Sequence, residues 1–92
     1  MTIFDQISIR IIKEQELIIG PVAWFEAQKV PGVIANSKEG KISLRGDGKE
    51  TIDKLVAQYE RLFGRASHEV CKEATKDLIA TLPLDQIPSS LR

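Results

Sequence analysis

Apolar residues recur at helical spacing through the first thirty positions. Phe4, Ile7, Ile11, Ile18, Val22 and Phe25 fall on one narrow stripe of a helical wheel, the pattern of an amphipathic helix. The spacing predicts a kinked helix over residues 1–30. The kink belongs at Gly20-Pro21, because proline in a helix interior removes one backbone hydrogen bond and clashes with the carbonyl four residues back. The same pair also suits a second helix with proline at its first position. A strand at residues 6–12 is the alternative, since Gln6-Ile7-Ser8-Ile9-Arg10-Ile11 alternates polar and apolar and isoleucine favours strands. The helix is preferred: Lys13-Glu14-Gln15-Glu16-Leu17 is rich in helix formers, and the stripe crosses it without changing phase. Val30-Pro31-Gly32 then ends it.

Beyond that point the pattern changes period. Val33-Ile34-Ala35 and Lys41 to Arg45 flank the polar run Asn36 to Gly40, which predicts a short β-hairpin over 33–45. Such a ribbon is marginal alone and needs helices or another chain to pack on. Asp47 and Glu50 resemble a capping pair, and Ile52, Leu55, Val56, Tyr59, Leu62 and Phe63 follow with helical spacing, predicting a helix over 48–63 closed by Gly64. Val70, Cys71, Ala74, Leu78 and Leu82 predict a last helix over 68–82, with Ser67 as its cap and Pro83 as its stop. Residues 83–92 are a tail, either a short packed turn or loose chain. The fold class is therefore helix-dominated α+β in one small domain: kinked N-terminal helix, short hairpin, two amphipathic helices.

The first segment carries more apolar surface than one stripe uses. Ile12, Ile19, Ala23 and Val30 form a second edge, and Leu17 and Trp24 lie on yet another side. A helix apolar on several sides is normally surrounded. Burying an Ile or Leu side chain contributes about 1.5–3 kcal/mol, so a few uncovered ones favour a second copy of the chain. Ile12, Leu17, Ile19 and Trp24 are the expected interaction surface, in a two-fold homodimer. Phe25 reads as core. Trp24 reads either as an interface anchor or as a cover for the hairpin. The competing arrangement folds the segment back at Gly20-Pro21, so that a monomer covers everything.

Charge and cysteine content narrow the partners. Thirteen basic and thirteen acidic side chains cancel, which removes the long-range field that nucleic-acid and anionic-membrane binders use and does nothing to oppose self-association. Nucleic acid and membrane are therefore not the expected partners; a second copy is, with another protein as the alternative. A single cysteine, Cys71, forms no internal disulfide and fits a reducing compartment. Neither a signal peptide nor a transmembrane run is read in the sequence, so the cytoplasm is the expected location.

Four features invite a chemical reading. Gly46-Asp47-Gly48-Lys49-Glu50-Thr51 stands where phosphate loops occur, but Glu50 separates the lysine from the threonine and the leading glycine is missing, so a turn and helix cap is the better reading. His68 and Cys71 are three apart on a helix; four zinc ligands are lacking, and a nucleophilic pair would need a third group in a pocket. The carboxylates Glu14, Glu16, Glu39, Asp47, Glu50 and Asp53 each lie near Lys or Arg, as on a solvated face. Tyr59 to Ala74, with its Gly64 turn, has the outline of a helix-turn-helix in which Ser67, His68 and Lys72 would read bases and Arg65 a phosphate. Glu60, Glu69, Glu73 and Asp77 oppose that role. No catalytic, cofactor-binding or metal-ligating residue is assigned and no cofactor is expected. The expected function is a non-enzymatic interaction or regulatory module acting as a homodimer. The alternatives are a DNA-binding regulator built around Gly64, and a ligand or catalytic site formed between subunits near Cys71 and His68.

Overall fold

The chain adopts the helix-dominated α+β architecture that its pattern predicts, in a computed structural model that describes residues 2–92. Helix α1 (Ile3–Ile19) opens on a reciprocal cap. The Thr2 hydroxyl accepts from the Asp5 amide, and the Asp5 carboxylate accepts from the Thr2 amide, each at 3.1 Å. Two donors that a helix start leaves unpaired are thereby satisfied. Residues 6–12 are helix: Ile7, Ser8, Ile11, Ile12 and Gln15 share one buried arc, which a period of two would split between faces.

Helix α1 stops at Gly20, whose φ of 78° and ψ of −163° lie in a region that glycine alone occupies readily. Helix α2 (Val22–Gln28) begins after Pro21 with a new phase. Its buried residues are Ala23, Trp24, Glu26 and Ala27. The single stripe expected from Phe4 to Phe25 therefore fails past Ile11. Phe25, expected in the core, points outward and is 65% exposed, whereas Trp24 is only 4% exposed. A wheel drawn through Gly20-Pro21 carries the wrong phase into α2, because the break reorients the axis.

Strands β1 (Val33–Asn36) and β2 (Lys41–Leu44) pair antiparallel, with Val33 opposite Leu44 and Asn36 opposite Lys41. The Asn36 side-chain oxygen accepts from the Lys38 and Glu39 amides and closes the turn. Val33 and Ile42 face the core. The Leu44 amide donates to Asp5 of α1, and Gln28 of α2 donates to the Ala35 carbonyl, so the ribbon leans on both helices.

Helix α3 (Gly48–Phe63) starts on Asp47, whose carboxylate accepts from the Lys49 amide at 3.0 Å. It buries Thr51, Ile52, Leu55, Val56 and Tyr59. Gly64 alone joins it to α4 (Arg65–Ile79), again at positive φ, 90°. The last helix thus begins before the expected Ser67 cap, and Ser67 lies buried within its first turn. It also ends before Leu82, in a turn that precedes Pro83.

The four helices enclose one aliphatic core. Helix α1 meets α4 through Arg10, which donates to the Ala74 carbonyl and Asp77, and through Gln15, which donates to the Ser67 carbonyl at 3.0 Å and the Cys71 sulfur at 3.4 Å. Helix α2 meets α3 where the Tyr59 hydroxyl donates to the Ala23 carbonyl at 2.6 Å and Gln58 donates to Glu26 at 2.8 Å. Residues 83–91 are a packed strap of two short 3-10 turns, Leu84–Gln86 and Ser89–Leu91. Pro88 and Leu91 are buried along it. Among the described residues, no helix is long and apolar enough to cross a membrane.

Candidate functional site

The four residues expected to form an interaction surface do not lie together on one. Ile12 is fully buried and Trp24 nearly so; Ile19 is half-buried against the same core; Leu17 is 80% exposed. The correction has a simple cause. Helix α1 is flanked by α2, α3 and α4, so its second apolar edge is covered by its own chain. Trp24 packs inward, and its indole N–H donates to Glu16 at 2.9 Å.

A different apolar surface is exposed. Among the described residues, six of the eight large apolar side chains that remain exposed are Leu17, Ile18, Val22, Phe25, Leu62 and Phe63. They occupy the end of α1, the start of α2 and the end of α3. The contacts place these three segments at one end of the bundle: Gln15 lies against Ser67 in the first turn of α4, and Tyr59 against Ala23 in the first turn of α2. Ile18 continues the Ile7–Ile11 direction of α1, and Leu62 and Phe63 continue the Leu55–Val56–Tyr59 direction of α3. Two core-facing stripes thus run about one turn past the elements that cover them. Val22 lies in the first turn of α2, next to Ala23, whose carbonyl accepts from Tyr59 of α3. Leu17 and Phe25 flank this open end on α1 and α2.

The candidate chemical groups are engaged elsewhere. Cys71 is fully buried, its sulfur accepts from Gln15, and burial pushes its thiol up to about 11. His68 contacts Glu60 through Nδ1 and the Ser90 carbonyl through Nε2, so both of its nitrogens are occupied away from Cys71. Ser67, required outward for base reading, is buried instead, and the single-residue Gly64 link is shorter than a helix-turn-helix turn. In the Gly46–Thr51 turn, Lys49 donates from Nζ to the Asp85 carbonyl at 2.6 Å, and its amide is capped by Asp47. Thr51 donates to the Asp47 carbonyl. Glu50 pairs with Lys54, and Glu39 with Lys41. Among the described residues no group of three or more His, Cys, Asp or Glu is placed to hold a metal ion.

Two polar clusters escape the sequence reading. One is the buried seam of Gln15, Ser67, Cys71 and Thr75 between α1 and α4. The other grips the strap: Asp53 accepts from Ser89 and twice from Ser90, and His68 meets the Ser90 carbonyl. Neither has a local motif, since the bonds that close them between elements span 22 to 56 positions. Compared with known proteins, the chain matches no family model, no curated protein and no solved structure.

Proposed function

We propose that this chain is a non-enzymatic interaction module that associates with a second copy of itself through the open end of its bundle. The observation that carries this reading is the gathering of Leu17, Ile18, Val22, Phe25, Leu62 and Phe63 where two core stripes outrun their cover. Together they expose on the order of 600 Å² of side-chain area, against about 800 Å² per partner in a standard specific interface and about 300–600 Å² for the largest apolar patch of a typical monomer. A second copy is the favoured occupant because the end is apolar and the chain's net charge is zero, so no field opposes like-with-like approach. An interface at the small end of the range fits a weak, concentration-dependent dimer, with affinity set by packing quality and not by area. A lone unpaired cysteine fits a reducing compartment, and the cytoplasm is the proposed location.

Sedimentation equilibrium tests the reading. The wild type is expected to shift from monomer toward dimer across the micromolar range. Leu17→Glu combined with Phe25→Glu is expected to hold it monomeric with unchanged helical content, since both side chains point away from the core. A wild type that stays monomeric at millimolar concentration refutes self-association. A dimer indifferent to both substitutions places the interface elsewhere.

A further inference from the structure

Both ring nitrogens of His68 face acceptors. Nδ1 lies 2.8 Å from Glu60 Oε1 on α3, and Nε2 lies 2.5 Å from the Ser90 carbonyl oxygen in the strap. A neutral imidazole carries one N–H, whereas the imidazolium carries two. A carboxylate and a carbonyl have no proton to return, so only the charged ring satisfies both contacts. We infer that residues 83–91 form a proton-dependent strap, latched to the α3–α4 pair by charged His68 and loosened when that ring loses its proton.

Ser90 is held from two sides. Asp53 of α3 accepts from the Ser89 hydroxyl at 3.0 Å, the Ser90 amide at 3.0 Å and the Ser90 hydroxyl at 2.5 Å, while His68 of α4 takes the Ser90 carbonyl. When the ring is neutral, its remaining N–H stays on Glu60, because a hydrogen bond to a carboxylate is the stronger of the two. The proton therefore leaves Nε2 for solvent, and a ring lone pair then opposes the carbonyl lone pair of Ser90. Glu60 and the Ser90 carbonyl are the groups that touch the ring. Arg65 and Lys72 stand one turn to either side on α4, with Glu69 adjacent, and Asp53 is one hydrogen bond further through Ser90. The latched strap binds one more proton than the released strap. Latching is thus favoured by proton uptake and weakened as pH rises. Release would uncover the groove that Pro88 and Leu91 fill.

Amide hydrogen exchange, corrected for intrinsic rates, reads the latch directly. The reporters are the Ser90 amide, bonded to Asp53, and the Leu91 amide, bonded to the Pro88 carbonyl, measured against the α1 core amides of Ile11 and Ile12. Between about pH 5.5 and about pH 8, above the ordinary carboxylate range, relative protection of the strap is expected to fall tenfold or more, the scale of one hydrogen bond to a charged group. His68→Gln is expected to show a flat, low ratio. A flat ratio in the wild type, or an unchanged pH dependence in His68→Gln, overturns the inference. If His68→Gln fails to fold, the wild-type ring decides: His68 is the only histidine, so its ¹⁵N signals need no assignment. Two protonated nitrogens with the strap protected support the latch, and a neutral ring beneath a protected strap overturns it.

Discussion

Replacing Trp24 with alanine is expected to remove a large share of this fold's stability, while the same change at its neighbour Phe25 costs little. Trp24 is 4% exposed and bridges two helices, packing in the core and donating its indole N–H to Glu16 at 2.9 Å. Large aromatic-to-alanine changes in cores cost about 3–5 kcal/mol through lost transfer energy and the residual cavity. The lost hydrogen bond adds less than about 1 kcal/mol, because Glu16 is half-exposed and water replaces the indole. Domains are stable by about 0.05–0.15 kcal/mol per residue, or about 5–14 kcal/mol for a chain of this size. Trp24→Ala thus consumes from about a fifth to all of the total and lowers Tm by on the order of 20 °C. Phe25 is 65% exposed, and Phe25→Ala should stay within about 0.5 kcal/mol. Guanidinium unfolding followed by circular dichroism measures both, at one dilute protein concentration so that self-association does not contribute. Trp24→Phe separates ring from N–H and should fall between. Equal midpoints for Trp24→Ala and the wild type, with self-association lost, would make Trp24 an interface anchor and refute the packing argument.

Three further outcomes follow from local geometry. A side chain at Gly48 would meet Phe4, with a Cβ 2.8 Å from the ring, so Gly48→Ala should destabilise by about 1–3 kcal/mol despite its better helix propensity; a raised Tm would refute this. Cys71, buried and with its thiol pushed up to about 11, should react with a disulfide reagent near pH 8 at least a hundredfold more slowly than the unfolded chain. Prompt labelling of the native protein would contradict its placement. The Arg10 guanidinium beside Asp77, and Lys29 and Gln58 beside Glu26, hold those carboxyls below their ordinary values. Their contribution is therefore present above the ordinary carboxylate range and lost as pH falls through it. Arg10→Gln should flatten that acid loss in a thermal-melt series, and parallel pH profiles for variant and wild type would sink the assignment.

Periodicity made the architecture legible because most of the core lies on regular helix faces. Ile52, Leu55, Val56 and Tyr59 needed only a wheel, and the hairpin needed only its turn residues. The failures at Trp24 and Phe25 share one origin at Gly20. The sequence marked the break but not the angle by which it turned α2, and that angle exchanged the roles of Trp24 and Phe25. The open end was legible only in the sense that surplus apolar surface exists on the first segment. Identifying Ile18 and Leu62 as uncovered and Ile12 as covered requires knowing where α4 begins relative to α1. The cap at Thr2 and Asp5 has a readable spacing, three residues apart before an apolar run. The strap's grip has none, since Asp53, His68 and Ser90 meet only after three elements are packed.

The uncovered end is a consequence of how α1 is registered against α4. An aliphatic seam between two helices tolerates sliding by a turn, about 5.4 Å, because one row of methyl groups serves nearly as well as the next. Gln15 removes that freedom. Its amide nitrogen donates to the Ser67 carbonyl and the Cys71 sulfur, and a slide of one turn would break both bonds. Among the described residues, Gln15 Oε1 and Ser8 Oγ are buried without a hydrogen-bond partner from the protein. What the seam supplies is position. With Gln15 level with the third residue of α4, Ile18 lies about 4.5 Å further along α1, beyond the point where α4 begins to cover it. On the other side, the single-residue Gly64 connection leaves no chain to fold back over Leu62 and Phe63. Shorter helices or a longer loop would have closed this end, so the overhang on which the proposed self-association rests follows from the Gln15 seam and the one-residue link.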